Sequence, residues 1–509
     1  MKIPGRMKRR EFIKLAGASA AAGLAYGSSA FSLSAQSAPR PNVLLIMVDD
    51  LRPELGCYGV DQIHTPHIDR FAQRGLVFNR AYCPQAICNP TRASLLTGMR
   101  PDSLRVWDNN THFRKKYPGI MTLPQIFKMH GYQTISVGKV FHGTLPDPPS
   151  WDIHQLPPVD YKFYQSKENQ DRQKAREKAA RMQGYSESWI NYYLRGPATE
   201  SCDAPDNYYR DGALTEIAID MLSKFSKKQP FFLSVGFSKP HLPFVAPQRY
   251  WDLYDRKNIP LAPNNYIPKG APSFAINSLT GLKCHEDFVL APPPAEGSIP
   301  EEQARLLKHG YYACISFIDA QIGRILNNLT SLALEENTIV VVLGDSGYKL
   351  GEHGSWGKRT NYEIDVRCLL IISVPGQTSP GNSTSALVEL VDLHPTLCEL
   401  AGFQTAVDLE GLSFIPILQN PGRPWKRAAF SQFARGFSER IMGRSMRTDR
   451  YRFIEWRERF DNRLIATELY DHEVDPQENK SIAGNPRYID LVAQLSSMLA
   501  SGWKAALPE

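Results

Sequence analysis

The sequence places a cysteine and an arginine one helical turn apart, at Cys88 and Arg92, where the chain reads Cys-Asn-Pro-Thr-Arg-Ala-Ser-Leu-Leu-Thr-Gly. A cysteine at the start of a short helix lies in a positive field, and the arginine strengthens that field. For the pentapeptide alone, a small buried thiol without a chemical role is the alternative explanation. Taken with its flanking residues, the segment predicts a site that binds an anion.

Acidic side chains follow two apolar segments that are typical of buried strands. Asp49 and Asp50 follow residues 42–48, and Asp345 follows residues 338–344. Burying unpaired carboxylates is costly, whereas a hard cation such as Ca²⁺ or Mg²⁺ prefers carboxylate oxygens. Either cluster alone is explained equally well as a helix cap or a turn. Since parallel strands end at one edge of a sheet, the two clusters together predict a metal site.

The segment that starts at Cys88 resembles the signature of type I sulfatases, in which this cysteine is oxidised to formylglycine and becomes the nucleophile. The resemblance implies one calcium ion per chain, and it implies a set of metal-binding residues. These are Asp49, Asp50, Cys88, Asp345 and Ser346. Position 346 departs from the family pattern, because His or Asn normally follows that aspartate and serine offers a shorter, neutral hydroxyl.

The same resemblance implies a role for the basic residues. The cations that would neutralise the sulfate oxygens are Arg92, Lys139 and Lys358. The hydrated aldehyde at position 88, activated by the metal and Asp345, would attack sulfur and form a covalent sulfated enzyme. His241 would protonate the leaving oxygen, and His142 would take a proton from the second hydroxyl so that sulfate leaves.

Further segments are similar to the iduronate-2-sulfatase branch of this family, and together they extend from about Asn42 to about Asn479. They lie at residues 50–59, 100–102, 136–142, 239–241, 350–354 and 468–476. The likeness implies that the partner is a sulfated oligosaccharide or polysaccharide, with 2-O-sulfated uronic acid as the specific candidate. Lys358 is the candidate partner of the sugar carboxylate. Other sulfated polysaccharides would present similar groups.

Strands and helices alternate along most of the chain, and this pattern predicts the elements that position these residues. Short apolar runs recur at residues 42–48, 132–138, 231–237, 338–344 and 368–374, and helical patterns at 217–225 and 303–329 lie between them. The alternation predicts an α/β fold with a doubly wound, mostly parallel sheet. The resemblance adds that the fold is alkaline-phosphatase-like. Ligands of such sheets bind beyond the carboxyl ends of the strands.

Changes in composition predict three parts of the chain: an export signal at 1–38, a catalytic α/β domain at 39–403 and a smaller C-terminal α+β subdomain at 404–509. Within the catalytic part, residues 144–205 are polar and lack a strand pattern. We interpret them as an insertion whose charged middle is a solvated helix, with a substrate lid as the alternative.

The pattern of the C-terminal part predicts a small number of strands and one closing helix. Two segments, 445–455 and 467–470, have the pattern of strands. A helix at 486–504 is expected to follow them.

The first residues carry most of the positive charge of the chain. The formal net charge is +7, and residues 1–38 hold six basic side chains against Glu11, so their removal leaves about +2. The remaining charges are interspersed, which argues against a nucleic-acid partner.

The segment Lys8-Arg9-Arg10-Glu11-Phe12-Ile13-Lys14 precedes a weakly apolar run that is too short for a permanent membrane anchor, and it looks like a twin-arginine signal. The expected location is therefore periplasmic or secreted, with an uncleaved tether as the alternative. Such export carries folded proteins, so a formylglycine-generating enzyme would act on the unfolded chain inside the cell.

Eight cysteines are spread along the chain without a C-x-x-C pair, so neither a zinc site nor a dense disulfide framework is predicted. One or two disulfides are compatible with this count.

Three functions are consistent with the sequence. The first is an exported sulfatase that hydrolyses sulfate esters of a glycan. The second is a sulfated-glycan binding protein whose turnover is weak or lost because Ser346 replaces the usual metal ligand. The third is a phosphodiester or phosphonate hydrolase of the same superfamily, since such enzymes share the fold and act on tetrahedral anions.

Overall fold

The computed structural model describes residues 40–508, except positions 144, 158–162, 188, 191–193, 226–228, 277–278, 377–379, 405–407 and 436–439. The export signal predicted at 1–38 lies outside the described residues. From Arg40 onward the chain forms one compact unit.

The strands of the described part are β1 (Asn42–Val48), β2 (Leu76–Phe78), β3 (Ala81–Tyr82), β4 (Gln133–Gly138), β5 (Ile153–Gln155), β6 (Thr199–Cys202), β7 (Phe231–Phe237), β8 (Phe244–Pro247), β9 (Thr338–Gly344), β10 (Lys349–Leu350), β11 (Trp356–Gly357), β12 (Arg367–Cys368), β13 (Leu370–Ser373), β14 (Asn382–Thr384), β15 (Val388–Glu389), β16 (Ala429–Arg435), β17 (Ile441–Arg447), β18 (Tyr451–Glu458) and β19 (Leu464–Asp471).

The helices of the described part are α1 (Pro66–Ala72), α2 (Cys88–Thr97), α3 (Pro101–Leu104), α4 (Leu123–Met129), α5 (Lys167–Met182), α6 (Arg210–Lys224), α7 (Gln248–Trp251), α8 (Glu301–Ser331), α9 (Glu363–Val366), α10 (Leu393–Leu400), α11 (Ile415–Gln419) and α12 (Ile489–Ser501).

A mixed sheet forms the centre of the molecule, with its strands in the order β14, β2, β13, β9, β1, β7, β4 and β5. The central strand β1 runs parallel to both β7 and β9, and β4 runs parallel to β7 and β5. Strand β13 runs antiparallel to β9 and to β2. The prediction of a mostly parallel α/β sheet is therefore confirmed.

Both faces of this sheet are covered, and the side chains of β1 show how. Leu44, Ile46 and Val48 belong to one buried apolar cluster, together with the long helix α8. Their neighbours Val43 and Met47 belong to a second cluster on the opposite face, which includes side chains of α2. A strand that is buried on both faces needs apolar residues at every position, which explains the continuous apolar run.

The predicted strands agree with the structure at residues 42–48, 231–237 and 338–344, and the run at 132–138 starts one residue later. The predicted single strand at 368–374 is wrong in one respect. The start of this segment belongs to β12, which pairs with β3 in a separate small sheet, and only β13 belongs to the central sheet. Leu369 lies between β12 and β13, and its carbonyl accepts a hydrogen bond from the backbone N–H of Gly344 at the end of β9.

The polar region at 144–205 contains helix α5, whose side chains are mostly exposed, so the prediction of a solvated helix is confirmed. The expectation that this region lacks strands is wrong. Strand β5 adds to the edge of the central sheet beside β4, and β6 pairs with β8. Both strands have three or four residues, which is too short for a recognisable period.

The C-terminal part contains an antiparallel sheet in the order β16, β17, β18, β19, with helix α12 after it. The single strand predicted at 445–455 is wrong, because a turn divides it between β17 and β18. Thr448 and Tyr451 close this turn, with the Thr448 backbone N–H donating to the Tyr451 carbonyl at 2.9 Å. The predicted strand at 467–470 lies within β19, and the closing helix is shorter than predicted.

All cysteines are free thiols in the structure. Among the residues that are described, no helix combines the length and the apolar character needed to cross a membrane.

Candidate active site

Two neighbouring strands deliver the acidic residues to one edge of the central sheet. Asp49 and Asp50 follow β1, Asp345 follows β9, and all three are fully buried. The backbone N–H of Asp50 donates to the Asp345 carboxylate at 3.1 Å, so the two loops are directly connected. Asp50 has a φ of 60°, in the left-handed region that aspartate tolerates better than most residues. The carboxylates predicted from separate strands therefore lie together.

Cys88 is the first residue of α2 and points into this acidic cluster. Its thiol donates to Asp49 Oδ1 at 3.1 Å, and Lys358 Nζ donates to its sulfur at 2.9 Å. Burial and the charge of Asp49 raise the pKa of the thiol to about 12, against the effect of the nearby lysines. Cys88 is therefore a neutral thiol here and not a nucleophilic thiolate.

Arg92 lies one turn further along α2 and is completely buried. Its Nε donates to Asp345 Oδ2 at 2.7 Å, and its Nη1 donates to the carbonyl of Val140 at 3.1 Å. Its Nη2 has no hydrogen-bond partner among the described residues, although it lies 3.9 Å from Asp49 Oδ1. A buried N–H that lacks an acceptor is a donor available to an anionic ligand.

Two lysines surround the same carboxylates, as the sequence predicts. Lys139 forms an ion pair with Asp49, and Lys358 forms one with Asp50. Burial alone would raise the pKa of Asp49, but the charges of Lys139 and Lys358 hold that pKa well below its usual range. Burial and the charge of Asp49 instead raise the pKa of Asp50. The site is thus a dense alternation of positive and negative groups.

The oxygen-rich part of this arrangement fits a hard divalent cation. Asp49, Asp50 and Cys88 offer donor atoms that all lie within 4.8 Å of one another. The Ser346 hydroxyl is buried and donates to Asp50 Oδ1 at 3.3 Å, so it faces the same group of oxygens. Asp345 is joined to Asp50 by the hydrogen bond described above. The predicted metal-binding residues therefore lie together, and their chemistry suits Ca²⁺ or Mg²⁺.

A second acidic group, formed by Glu363, His472 and Glu478, also has donor atoms close together. Arg452 forms ion pairs with both glutamates of this group. An arginine within the group makes it an internal ion-pair network rather than a metal site. It connects the C-terminal sheet to the segment that precedes β12.

The two predicted histidines lie at the border of the cluster. His241 Nε2 is 4.0 Å from Asp50 Oδ2, and its side chain remains 44% exposed. Partial desolvation in the surrounding protein lowers the pKa of His241, although Asp49 opposes this shift. Burial, reinforced by Lys139, lowers the pKa of His142 to about 3, and its Nδ1 lacks a hydrogen-bond partner within the described part of the chain. Both rings are therefore neutral near pH 7 in this state.

Three residues that the sequence analysis did not assign a role position this site. The Tyr311 hydroxyl of α8 donates to the Asp50 carbonyl at 2.7 Å. The Asp211 carboxylate of α6 accepts N–H groups from Ser238 and Lys239, at the start of the His241 loop. Lys239 Nζ donates to two carbonyls of that loop. Lys239 stands in the Lys-Pro-His segment and could have been found there, whereas no local signal identifies Tyr311 or Asp211.

A cavity of about 730 Å³ lies elsewhere, and its lining includes Ser166, Glu200, Trp251 and His309. None of the predicted site residues lines it. The side chains that could take part in a reaction lie in the cluster around Cys88 rather than in this cavity.

Comparison with known proteins identifies the family of this arrangement. The family model described as Sulfatase matches residues 41–403, and the model described as N-sulphoglucosamine sulphohydrolase, C-terminal, matches residues 351–504. The chain is similar to iduronate 2-sulfatase of Mus musculus, with 34% identity over 89% of this chain and 93% of that protein.

Solved structures show the same fold. One is a protein in complex with its substrate D-glucosamine-2-N,6-O-disulfate, with a TM-score of 0.72 and 24% identity over 92% of this chain and 98% of that chain. Another is the phosphonate monoester hydrolase of Agrobacterium radiobacter, with a TM-score of 0.69 and 22% identity over 91% and 95% of the two chains. The prediction of an alkaline-phosphatase-like fold is thus confirmed.

The matched region contains both acidic loops, the cysteine helix and the basic residues that surround them. Because the family model covers most of the chain and the mouse relative covers nearly all of it, the similarity is not limited to a short motif. The chain therefore belongs to the sulfatase family and is a sulfuric ester hydrolase.

Proposed function

We propose that the protein is an exported sulfatase that hydrolyses sulfate esters of a sulfated glycan, with 2-O-sulfated uronic acid as its substrate class. In this proposal, residues 1–38 form a twin-arginine signal that directs the protein to the periplasm or the exterior. A formylglycine-generating enzyme converts Cys88 before export. The 34% identity with iduronate 2-sulfatase of Mus musculus supports the substrate class.

The contacts around Cys88 are the observation that best supports the proposal. Its side chain meets the carboxylate of Asp49 at 3.1 Å and the ammonium of Lys358 at 2.9 Å, and Arg92 is buried one turn away. A neutral thiol in this position is a poor nucleophile, so reactivity at position 88 requires its chemical conversion. The positive groups around it suit a sulfate ester rather than a neutral substrate.

Conversion of Cys88 and a bound metal would complete the site. When present, formylglycine supplies a hydrated aldehyde as the nucleophile, and a divalent cation supplies positive charge at the sulfate oxygens. The residues that would hold the cation are Asp49, Asp50, residue 88, Asp345 and Ser346. The unpartnered Nη2 of Arg92 would donate to a sulfate oxygen, and Lys139 and Lys358 would add charge beside it.

Two histidines would accept and donate the protons that the reaction transfers. Burial lowers the pKa of His142, so its ring is neutral, and its Nδ1 lacks a hydrogen-bond partner among the described residues. This nitrogen is therefore the proposed proton acceptor. His241 is also neutral without substrate, yet it lies 4.0 Å from Asp50 and remains partly exposed. A bound sulfate ester would add negative charge beside this ring and raise its pKa, so that proton uptake by His241 accompanies substrate binding.

The sequence predicts two roles for Lys358, one toward the sulfate and one toward the sugar carboxylate. Its ammonium is buried and contacts Asp50 and Cys88, which favours the first role. We propose that Lys358 acts on the sulfate and on residue 88, and that other residues recognise the remaining charges of the glycan.

Sulfate release tests the proposal directly. The full chain is co-expressed with a formylglycine-generating enzyme and assayed on 2-O-sulfated uronate disaccharides, with calcium and after chelation. Calcium-dependent release is expected, and Cys88→Ala is expected to abolish it. Peptide mass spectrometry establishes whether residue 88 is the aldehyde. No release from protein that carries the aldehyde would contradict the proposal.

The alternative of a glycan-binding protein rests on Ser346, which is buried beside Asp50 where the family has His or Asn. Ser346→His tests it, because a large increase in sulfate release would mark the present chain as a weak enzyme or a binding protein. An unchanged rate would mean that serine is compatible with turnover.

The alternative of a phosphonate or phosphodiester hydrolase rests on shared fold alone, because the phosphonate hydrolase structure is 22% identical to this chain. Parallel assays on a sulfate ester and a phosphonate monoester of the same alcohol would distinguish the two activities. Faster cleavage of the phosphonate would favour this alternative.

A further inference from the structure

Arg52 connects the two segments that follow the central strands β1 and β9. It belongs to the β1 segment (residues 49–55), and its side chain reaches the β9 segment (residues 345–355). Its Nη1 donates to the Tyr348 carbonyl at 3.0 Å and to Glu352 Oε1 at 2.8 Å. All of the proposed metal-binding residues except residue 88 lie in these two segments. Arg52 contacts none of their side chains in the described hydrogen bonds.

The Glu352 carboxylate fixes this contact to the backbone of the β9 segment. Its Oε2 accepts the backbone N–H of Leu350 at 2.6 Å, while its Oε1 accepts from Arg52. Burial alone would raise the pKa of Glu352, but the charges of Arg52 and Lys308 lower that pKa to about 2, so the carboxylate is ionised at neutral pH. The side chains of Arg52 and Glu352 are only 5% and 15% exposed, so water screens their attraction little.

The other end of the contact is held by the long helix α8. The Tyr311 hydroxyl accepts the backbone N–H of Arg52 at 3.2 Å and donates to the Asp50 carbonyl at 2.7 Å. Arg52 Nε donates to Glu54, whose other carboxylate oxygen accepts the Tyr312 hydroxyl at 3.2 Å. The guanidinium is therefore fixed on one side by α8 and the β1 segment, and on the other side by the β9 segment.

The spacing of these segments determines whether their oxygens can bind one cation together. Ligands that come from two different strands need support from outside the metal site, because their like charges repel one another when the cation is absent. Changing a residue that orients metal ligands typically weakens metal binding 10–100-fold. An arginine suits this task, because its planar group donates in several fixed directions at once, whereas a lysine offers a single charged point.

We propose that Arg52 and Glu352 are positioning residues, whose ion pair holds the β1 and β9 segments at the spacing that the bound cation requires. This inference rests on the proposed function, because that function includes a cation bound by these two segments. It makes the proposal more specific, since the affinity for calcium would depend on two side chains that are not ligands of the ion.

Three substitutions of the pair and one control test the inference. Arg52→Gln and Glu352→Gln each remove the ion pair, and their combination removes it once more without a further contact to lose. Arg52→Lys keeps the charge but loses the planar group. Arg100→Gln is the matched control, because Arg100 is a largely buried arginine outside both segments that donates to Glu389 at 2.7 Å.

Calorimetry measures calcium binding directly, without turnover. The full chain, with the aldehyde at residue 88, is chelated and then titrated with calcium chloride. Arg52→Gln and Glu352→Gln are each expected to raise the Kd for calcium about ten-fold or more. The double variant should be no weaker than the weaker single variant, because the two changes remove the same contact. Arg52→Lys should lose less, and Arg100→Gln should stay within about two-fold.

An unchanged Kd in the variants of the pair would overturn the inference, and so would the same loss in Arg100→Gln. Fully additive effects in the double variant would also contradict it. Circular dichroism checks that each protein is folded. If Arg52→Gln does not fold, Arg52→Lys and Glu352→Gln still test the pair.

Kinetics on a sulfated disaccharide distinguish positioning from general damage. At saturating calcium, each variant should regain most of kcat, with KM within about two-fold of the unaltered protein, because no substrate contact is lost. A loss of kcat that calcium does not restore would contradict the inference.

The calorimetry also separates this inference from the sulfatase activity. Weaker calcium binding in the variants would support the positioning role even if no protein released sulfate. Sulfate release together with an unchanged calcium affinity in the variants would support the sulfatase and refute the positioning role. An unaltered protein that binds no calcium would refute the inference and the proposed metal site together.

Discussion

Ser346 donates a hydrogen bond to Asp50 from a fully buried position, where the resemblance to sulfatases implies His or Asn. The hydroxyl is short, yet the structure brings it to 3.3 Å from a carboxylate oxygen of the proposed metal site. A serine in this position keeps an oxygen facing the proposed metal site, and it leaves more room than an imidazole would. The residue therefore remains a candidate ligand.

Ser346→Ala is predicted to weaken metal binding. Removing a neutral oxygen that faces a cation and a carboxylate is expected to raise the calcium concentration for half-maximal sulfate release about ten-fold, from a loss of about 1.5 kcal/mol. The measurement is a calcium titration of activity after chelation. Ser234→Ala is the control, because Ser234 is buried in β7 and its hydroxyl lacks a partner among the described residues. An unchanged calcium requirement would mean that Ser346 does not bind the metal.

At the scale of elements, the loop after β7 carries His241 and is held by two neighbouring residues. Asp211 at the start of α6 accepts the backbone N–H groups of Ser238 and Lys239 at 3.0 Å and 2.8 Å. Lys239 Nζ then donates to the carbonyls of His241 and Pro243 at 2.5 Å and 2.6 Å. The position of the His241 ring thus depends on Asp211 and Lys239, and neither residue contacts Cys88 in the described hydrogen bonds.

Lys239→Met is predicted to lower kcat about ten-fold and to change KM less than about two-fold, because it releases two carbonyls and misplaces His241 without removing a sulfate contact. Steady-state kinetics on a sulfated disaccharide measure both constants. Lys239→Arg should restore part of kcat, since a guanidinium is also able to donate to both carbonyls. Lys224→Met is the control, because Lys224 is an exposed residue of α6 that pairs with Asp220. A selective rise in KM would contradict the positioning role.

At the scale of the whole molecule, buried ion pairs join the C-terminal sheet to the catalytic part. Arg452 of β18 pairs with Glu363 at the start of α9 and with Glu478 after β19, and both Arg452 and Glu478 are almost fully buried. A buried charge without its partner is costly, so each member of this network needs the others. The sheet and the catalytic part should therefore unfold together.

Arg452→Leu is predicted to lower the free energy of unfolding by about 3–5 kcal/mol, because it removes the buried cation between Glu363 and Glu478. Arg447 and His472 are the remaining partners of these carboxylates. Urea unfolding followed by both fluorescence and circular dichroism measures this loss, and a single transition is expected from both probes. Arg463→Leu, at an exposed position, should change stability by less than about 0.5 kcal/mol. Two separate transitions in the unaltered protein would show that the subdomain unfolds independently.

Much of this molecule could be predicted from the sequence, because the informative patterns are local. The strands at 42–48, 231–237 and 338–344 are buried on both faces, and a continuous apolar run identifies such strands directly. Acidic residues at the ends of two of these strands predicted that the carboxylates would meet. The sequence analysis missed the short strands β5 and β6 and the turn at Thr448. Segments of a few residues are too short to show a period of apolar side chains.

The sequence alone determined the family, the mostly parallel sheet and the types of residue at the candidate site, since these depend on residue identity and local spacing. Only the tertiary structure decided how the charges are paired. It paired Lys358 with Asp50 and Cys88, and it buried the Cys88 thiol beside Asp49, which raises the pKa of that thiol. It also brought Tyr311 and Lys239 to the site. The physical reason is that burial and contacts between distant segments set electrostatic energies, and neither is encoded in local spacing.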